Sequence, residues 1–190
     1  MNSLARYKCI DLAVLALIMC FLEGLISFGR GIFPGEVYVL SVVLPVSLIV
    51  IMRWGWLGLL HAAIGGAAYA ALYGSGVRHL LIYTLGNLGI AVCVPLLLKI
   101  GKEKVRGSAP LTVLYVSTGW FGMVTGRAMA AFARDGGALL DITRRFYGAE
   151  ALSFIAAIII LLIARRQNGV FEDQRRYLLR LEGEKRNDGR

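Results

Sequence analysis

The sequence predicts an all-α integral membrane protein: a compact bundle of six transmembrane helices plus a cytoplasmic amphipathic C-terminal helix. Three observations carry this. Of 190 residues, 57% are hydrophobic and 17% charged, and mean hydropathy is +0.67. A soluble domain of this size has too much surface to hide so much apolar material. The apolar residues fall in long runs, and about 20 such residues suffice to span a bilayer. Finally, 21 Lys+Arg against 12 Asp+Glu leave a net charge of +9, with the bases sitting between the runs and in the tail. That distribution marks cytoplasmic loops rather than a nucleic-acid surface.

The spans are expected at about 9–29, 36–53, 55–74, 79–99, 109–132 and 147–165. The first resembles a signal peptide in composition. It lacks an A-x-A cleavage site and is long, so it reads as a transmembrane helix. The break at Arg53-Trp54-Gly55-Trp56 is so short that spans two and three form a hairpin. Gly74, Ser75 and Gly76 make the third break, and 101–110 the fourth, with Pro110 suited to a first helical turn. The fifth break, 133–146, reads as a charged loop. Residues 1–165 thus form one membrane domain, 166–183 an amphipathic helix on the membrane surface or on a partner, and 184–190 a disordered tail.

Arg6, Lys8, Arg53, the bases from Lys99 to Arg106 and those from Arg165 onward fall on one side of this topology. The bias places both termini in the cytoplasm of a bacterial cell. Arg134, Arg144 and Arg145 run against it.

No enzyme motif is present: neither a zinc-binding H-E-x-x-H, nor G-x-S-x-G, nor a Walker loop. His61 and His79 lack partners at metal spacing, and Cys9, Cys20 and Cys93 have no CxxC pattern. No cofactor is implied. The informative residues are the polar ones inside apolar spans. They cost free energy in lipid and therefore face a bundle interior or a cavity. These are Glu23, Glu36, Tyr83, Asn87, Trp120, Arg127 and Glu150. All but Trp120 fall in the outer half of their helices, which suggests a polar pocket open to the outside. Arg127 needs an anion: Glu23, Glu150 or a ligand group. An Arg127–Glu150 pair that only fixes helix packing is the alternative.

Gly58, Ala62, Gly66 and Ala70 recur every four residues, a small-residue stripe that permits close helix approach in lipid. It packs within the bundle or docks a partner membrane subunit. Gly119, Gly122 and Gly126 thin the fifth helix, for a ligand or for a neighbouring helix.

The stretch EVYVLSVVLPVSLIVIMRWGWLGLLHAAIGGAAYAAL (36–72) resembles the second and third helices of the substrate-binding S components of energy-coupling-factor (ECF) vitamin transporters. The six short helices, the outward polar pocket and the tail ARRQNGVFEDQRRYLLRLE (164–182) fit the same pattern. One departure is that Ala13 and Ala16 are three apart, whereas that family's first helix carries Ala-x-x-x-Ala. The resemblance implies a non-enzymatic subunit that captures a small vitamin-like metabolite. Its partners would be a transmembrane coupling subunit and two ABC-type ATPases. It also implies ligand contacts from Tyr83, Asn87, Trp120, Arg127 and Glu150, with Phe33 and Phe146 as lids. A second reading is a membrane scaffold of a cell-envelope complex, like rod-shape-determining proteins, which would need no pocket.

Overall fold

The computed structural model describes residues 3–32, 39–73, 76–167, 169–171, 174 and 177. Among these residues the chain is helical, with no strand. Its helices are α1 (Ser3–Ile32), α2 (Val43–Trp54), α3 (Gly58–Leu72), α4 (Gly76–Gly86), α5 (Cys93–Ile100), α6 (Lys102–Gly107), α7 (Ala109–Asp135), α8 (Leu139–Ala149) and α9 (Ala151–Ala164). Short 3₁₀ turns, Gly55–Leu57 and Asn87–Val92, join α2 to α3 and α4 to α5.

Three runs among the described residues are long and apolar enough to cross a membrane: Ala5–Gly29, Val43–Leu72 and Gly76–Ile100. A fourth qualifies if α8 and α9, bent by 49° to each other, count as one. Six spans are expected from the sequence, and the difference has physical causes. Helix α7 has the length, 27 residues or about 40 Å, but carries Thr112, Thr118, Thr125, Arg127 and Arg134. Residues 43–72 form a single apolar run that folds back on itself. Gly55 sits at φ 65, ψ −129, a conformation open to glycine, and reverses the chain. A Cβ on Gly58 would meet Ile51, and one on Gly65 would meet Val43, so α2 and α3 are antiparallel arms.

The outward faces remain apolar. Leu17, Phe21 and Phe28 of α1, Phe121 of α7 and Ile155, Ile159 and Ile163 of α9 are all more than half exposed. Such continuous faces suit lipid rather than water. The interior is equally apolar where α2, the 3₁₀ turn, α7 and α9 meet. Leu44, Leu48, Ile51, Ile90, Cys93, Met123 and Leu161 are buried there, and the Tyr115 hydroxyl donates to the Leu48 carbonyl at 2.9 Å. Helix α7 runs through the middle and touches α2, α4, α5, α6, α8 and α9.

The break between α4 and α5 follows from Pro95. It cannot donate to the Ala91 carbonyl and its ring crowds that carbonyl, so the preceding turns tighten to 3₁₀. Pro110 lies in the first turn of α7, as the sequence suggests.

One expectation changes. The fifth break is not a loop: after Gly136 and Gly137, both at positive φ, the chain forms α8. The amphipathic helix expected over 166–183 falls mostly outside the described residues, as does 184–190. Among its described members, Arg166, Gln167 and Tyr177 are exposed, while two point inward. Phe171 is in the core and Gln174 is buried.

Arg53 ties that inward turn to the bundle. Its Nη1 donates to the Gly169 carbonyl at 2.6 Å, while Nε and Nη2 donate to Asp11 of α1 at 3.0 and 2.7 Å. Trp54 Nε1 donates to the same carboxylate at 2.6 Å. Asp11→Ala therefore removes three charge-assisted bonds from a largely buried knot and should cost about 2 kcal/mol. A lowered melting temperature, with faster proteolysis around 167–171, is the expected result. Unchanged values for both would show that the knot carries no stability.

Candidate functional site

Six of the buried polar residues, Glu23, Ser41, Asn87, Arg127, Glu150 and Ser153, gather away from Arg53. Arg127, in the C-terminal half of α7, is 1% exposed. Its Nε donates to Asn87 Oδ1 at 2.6 Å and its Nη1 to Glu150 Oε1 at 2.5 Å. Nη2 contacts Met123 Sδ at 3.6 Å, and the guanidinium lies 4.6 Å from the centre of the Tyr83 ring. Asn87 is the first residue of the 3₁₀ turn, and its Nδ2 donates to the Ala62 carbonyl of α3 at 2.9 Å. Glu150 occupies the bend between α8 and α9. One cation thus joins α3, α4, α7 and α9.

The cluster extends to α1. Glu23, fully buried, accepts from the Ser41 hydroxyl and the Val42 amide, both at 2.7 Å. The same strand-like stretch is held on its other side, where Ser153 of α9 donates to the Val39 carbonyl at 2.7 Å and the Val39 amide donates to the Ala149 carbonyl at 3.0 Å. Glu23 and Glu150 are linked through the 39–42 stretch, which Glu23 holds at Ser41 and Val42 and the α8–α9 bend holds at Val39. Each keeps one oxygen, Oε2, buried without a hydrogen-bond partner. Above the guanidinium, Tyr69 packs against Tyr83 at 4.6 Å and against Tyr73 at 4.3 Å between ring centres. Phe146 meets the Tyr83 edge at 6.2 Å.

Four of the five site residues singled out in the sequence, Tyr83, Asn87, Arg127 and Glu150, are therefore together. Trp120 is not with them. It stacks on Phe154 at 4.4 Å with Tyr147 against its edge at 4.8 Å, and its Nε1 is buried without a partner. Phe33 and Glu36 lie outside the described residues. Tyr69, Ser41 and Ser153 belong to the neighbourhood without having stood out in the sequence. Tyr69 sits inside the Gly/Ala stripe, and the two serines are single hydroxyls in apolar runs. An intramembrane-polar count would have found all three.

Arg127 has protein partners on every side that the structure describes. Asn87, Glu150, Met123 and Tyr83 surround it, and beside it Glu150 keeps one acceptor oxygen unused. Of the two buried carboxylates, Glu150 meets the guanidinium, whereas Glu23 is held by Ser41 and Val42.

The small-residue stripe on α3 is interior rather than a docking face. Gly58, Ala62, Gly66 and Ala70 are all buried. A Cβ on Gly66 would strike the Tyr83 carbonyl and Asn87. Gly122 and Gly126 of α7 likewise face Gly89 and Gly86, so they admit a neighbouring helix. Compared with known proteins, the chain matches no family model, no curated protein and no solved structure.

Proposed function

We propose that this chain is the membrane-embedded substrate-binding subunit of an uptake transporter, of the kind represented by ECF S components. In this role it captures a small metabolite at the outer face and carries out no chemistry. A transmembrane coupling subunit and two ABC-type ATPases would supply the energy. The observation that supports this is two buried, unpartnered carboxylate oxygens: Glu150 Oε2, whose carboxylate meets Arg127, and Glu23 Oε2 on α1. Leaving such oxygens dry and unpaired is costly. A solute presenting N–H or O–H donors satisfies them, and Tyr69, Tyr83 and Phe146 supply ring faces beside them. The sequence alone suggested an anionic group on Arg127; the arrangement favours a protonated amine or another donor-rich solute instead.

Glu23→Gln tests this with little cost to the fold, because the amide oxygen still accepts from Ser41 and Val42. Solute retained by the purified protein, read by native mass spectrometry, is expected to fall at least about tenfold, the loss of a charge-assisted bond. Wild-type retention would remove Glu23 from the site. Affinity purification from native membranes addresses the assembly. Co-purified ATPases and a coupling subunit support the transporter, whereas envelope proteins without any ATPase favour the scaffold.

A further inference from the structure

At the opposite end of the molecule, a cavity of about 870 Å³ opens between the start of α1, the α2–α3 turn and the α5–α6 corner. Its chemistry is divided. Ile51, Val94, Leu97 and Leu98 form an apolar wall. Lys8, Arg53, Lys102 and Lys104 line the rest, with Glu103 the lone carboxylate among the lining residues. Arg53 is already matched by Asp11. The ammonium groups of Lys8 and Lys104 make no hydrogen bond or ion pair with any described residue. The Gly101 corner, at φ 93 and ψ 134, joins α5 to α6, and residues on both sides of it line the cavity. The wall does not end inside the protein. Leu98 is 77% exposed and Trp56 57%, so the cavity continues sideways onto the apolar outer face.

A cationic pocket that runs into a lipid-suited surface has two requirements in one ligand: an anionic head and a hydrocarbon body. We infer that this cavity is a binding site for an anionic phospholipid, its phosphate held by Lys8 and Lys104 and its acyl chain lying along Leu98 and Trp56. The surroundings agree. This is the end at which the Lys/Arg distribution places the cytoplasmic leaflet, and basic pockets between helices on that side take anionic head groups. Trp56 suits the interface between head group and chain. A soluble phosphate compound would use the lysines but leave the exposed Leu98 and Trp56 surface without a role. The site stands apart from the Arg127 cluster and does not depend on the solute proposed above.

The test uses the full chain in mild detergent, titrated with phosphatidylglycerol or phosphatidylcholine and read by native mass spectrometry. One phosphatidylglycerol should be retained at least about tenfold more tightly than phosphatidylcholine, since each lysine near a head group contributes a comparable electrostatic attraction. Lys8→Ala with Lys104→Ala should abolish that preference. Lys99→Ala with Arg106→Ala, bases at the same end but outside the lining, should leave it within about twofold. Equal retention of the two lipids overturns the proposal, as does an unaffected Lys8/Lys104 variant or an equally damaged Lys99/Arg106 variant. Displacement of the lipid by inorganic phosphate would assign the pocket to a soluble anion. A photo-crosslinker at Trp56 should capture lipid in native membranes; capture of a protein instead would assign the cavity to a partner.

Discussion

Gly89→Ala is expected to destabilise the bundle more than almost any other single methyl group. Where α4 and its 3₁₀ extension cross α7, the two backbones touch. A Cβ on Gly89 would strike the Gly122 carbonyl, and one on Gly122 would strike the Gly89 carbonyl in return. One turn away, Gly126 faces the Gly86 carbonyl, and a Cβ on Gly86 would lie 2.5 Å from Arg127 Cα. Val92 and Arg127 side-chain atoms also lie close to Gly122 and Gly86, but at each point the nearest atom is backbone, so the helices themselves must separate. Overpacking of this sort costs about 3 kcal/mol or more. The melting temperature of the purified protein, followed by helical circular dichroism, should then fall by about 10 °C. The separation would also draw Arg127 away from Asn87, so solute retention should fall with stability. Gly24→Ala is the control. A Cβ there meets nothing within 4 Å, and the gain in helix propensity, below about 1 kcal/mol, should leave the protein at least as stable as before. If Gly89→Ala melts like the wild type, the two backbones are not in contact.

This crossing also illustrates how much the sequence discloses. The spacing of Gly119, Gly122 and Gly126 says that something approaches α7 closely, but small residues carry no label for their neighbour. The α3 stripe has the same ambiguity, which packing against α2 and α4 resolves. Periodicity was more informative where geometry left one solution: a two- or three-residue break at Gly55 between apolar runs allows only a hairpin. The association of Arg127 with Glu150 was legible because a buried charge must find its opposite, while its distance from Trp120 was not, because an indole has no such obligation. Helix α8 was hidden for the reverse reason. Asp141, Arg144 and Arg145 make 133–146 look like a loop when only mean polarity is weighed. The inward turn of Phe171 depends on Arg53 catching the Gly169 carbonyl, a long-range bond with no local signature.

Glu150 offers the second large effect, and with it a way to separate packing from binding. Its pair with Arg127 is almost wholly excluded from solvent, the two side chains being 1% and 2% exposed. Glu150→Ala leaves the guanidinium buried with Asn87 and Met123 as its remaining partners, and stranding a charge in this way costs about 3–5 kcal/mol. The protein should express poorly or melt far below the wild type. Arg127→Met combined with Glu150→Leu removes both charges and refills the space with apolar atoms. Such replacements are close to neutral, and sometimes stabilising by about 1–4 kcal/mol, because desolvation of the pair no longer has to be offset. The double variant should therefore regain most of the stability lost by Glu150→Ala. What it should not regain is solute. If the cluster is a recognition site, a well-folded double variant purifies empty while the wild type retains its ligand. If the double variant is stable and still retains solute, the pair only fixes α7 against α9, and recognition lies elsewhere in the chain.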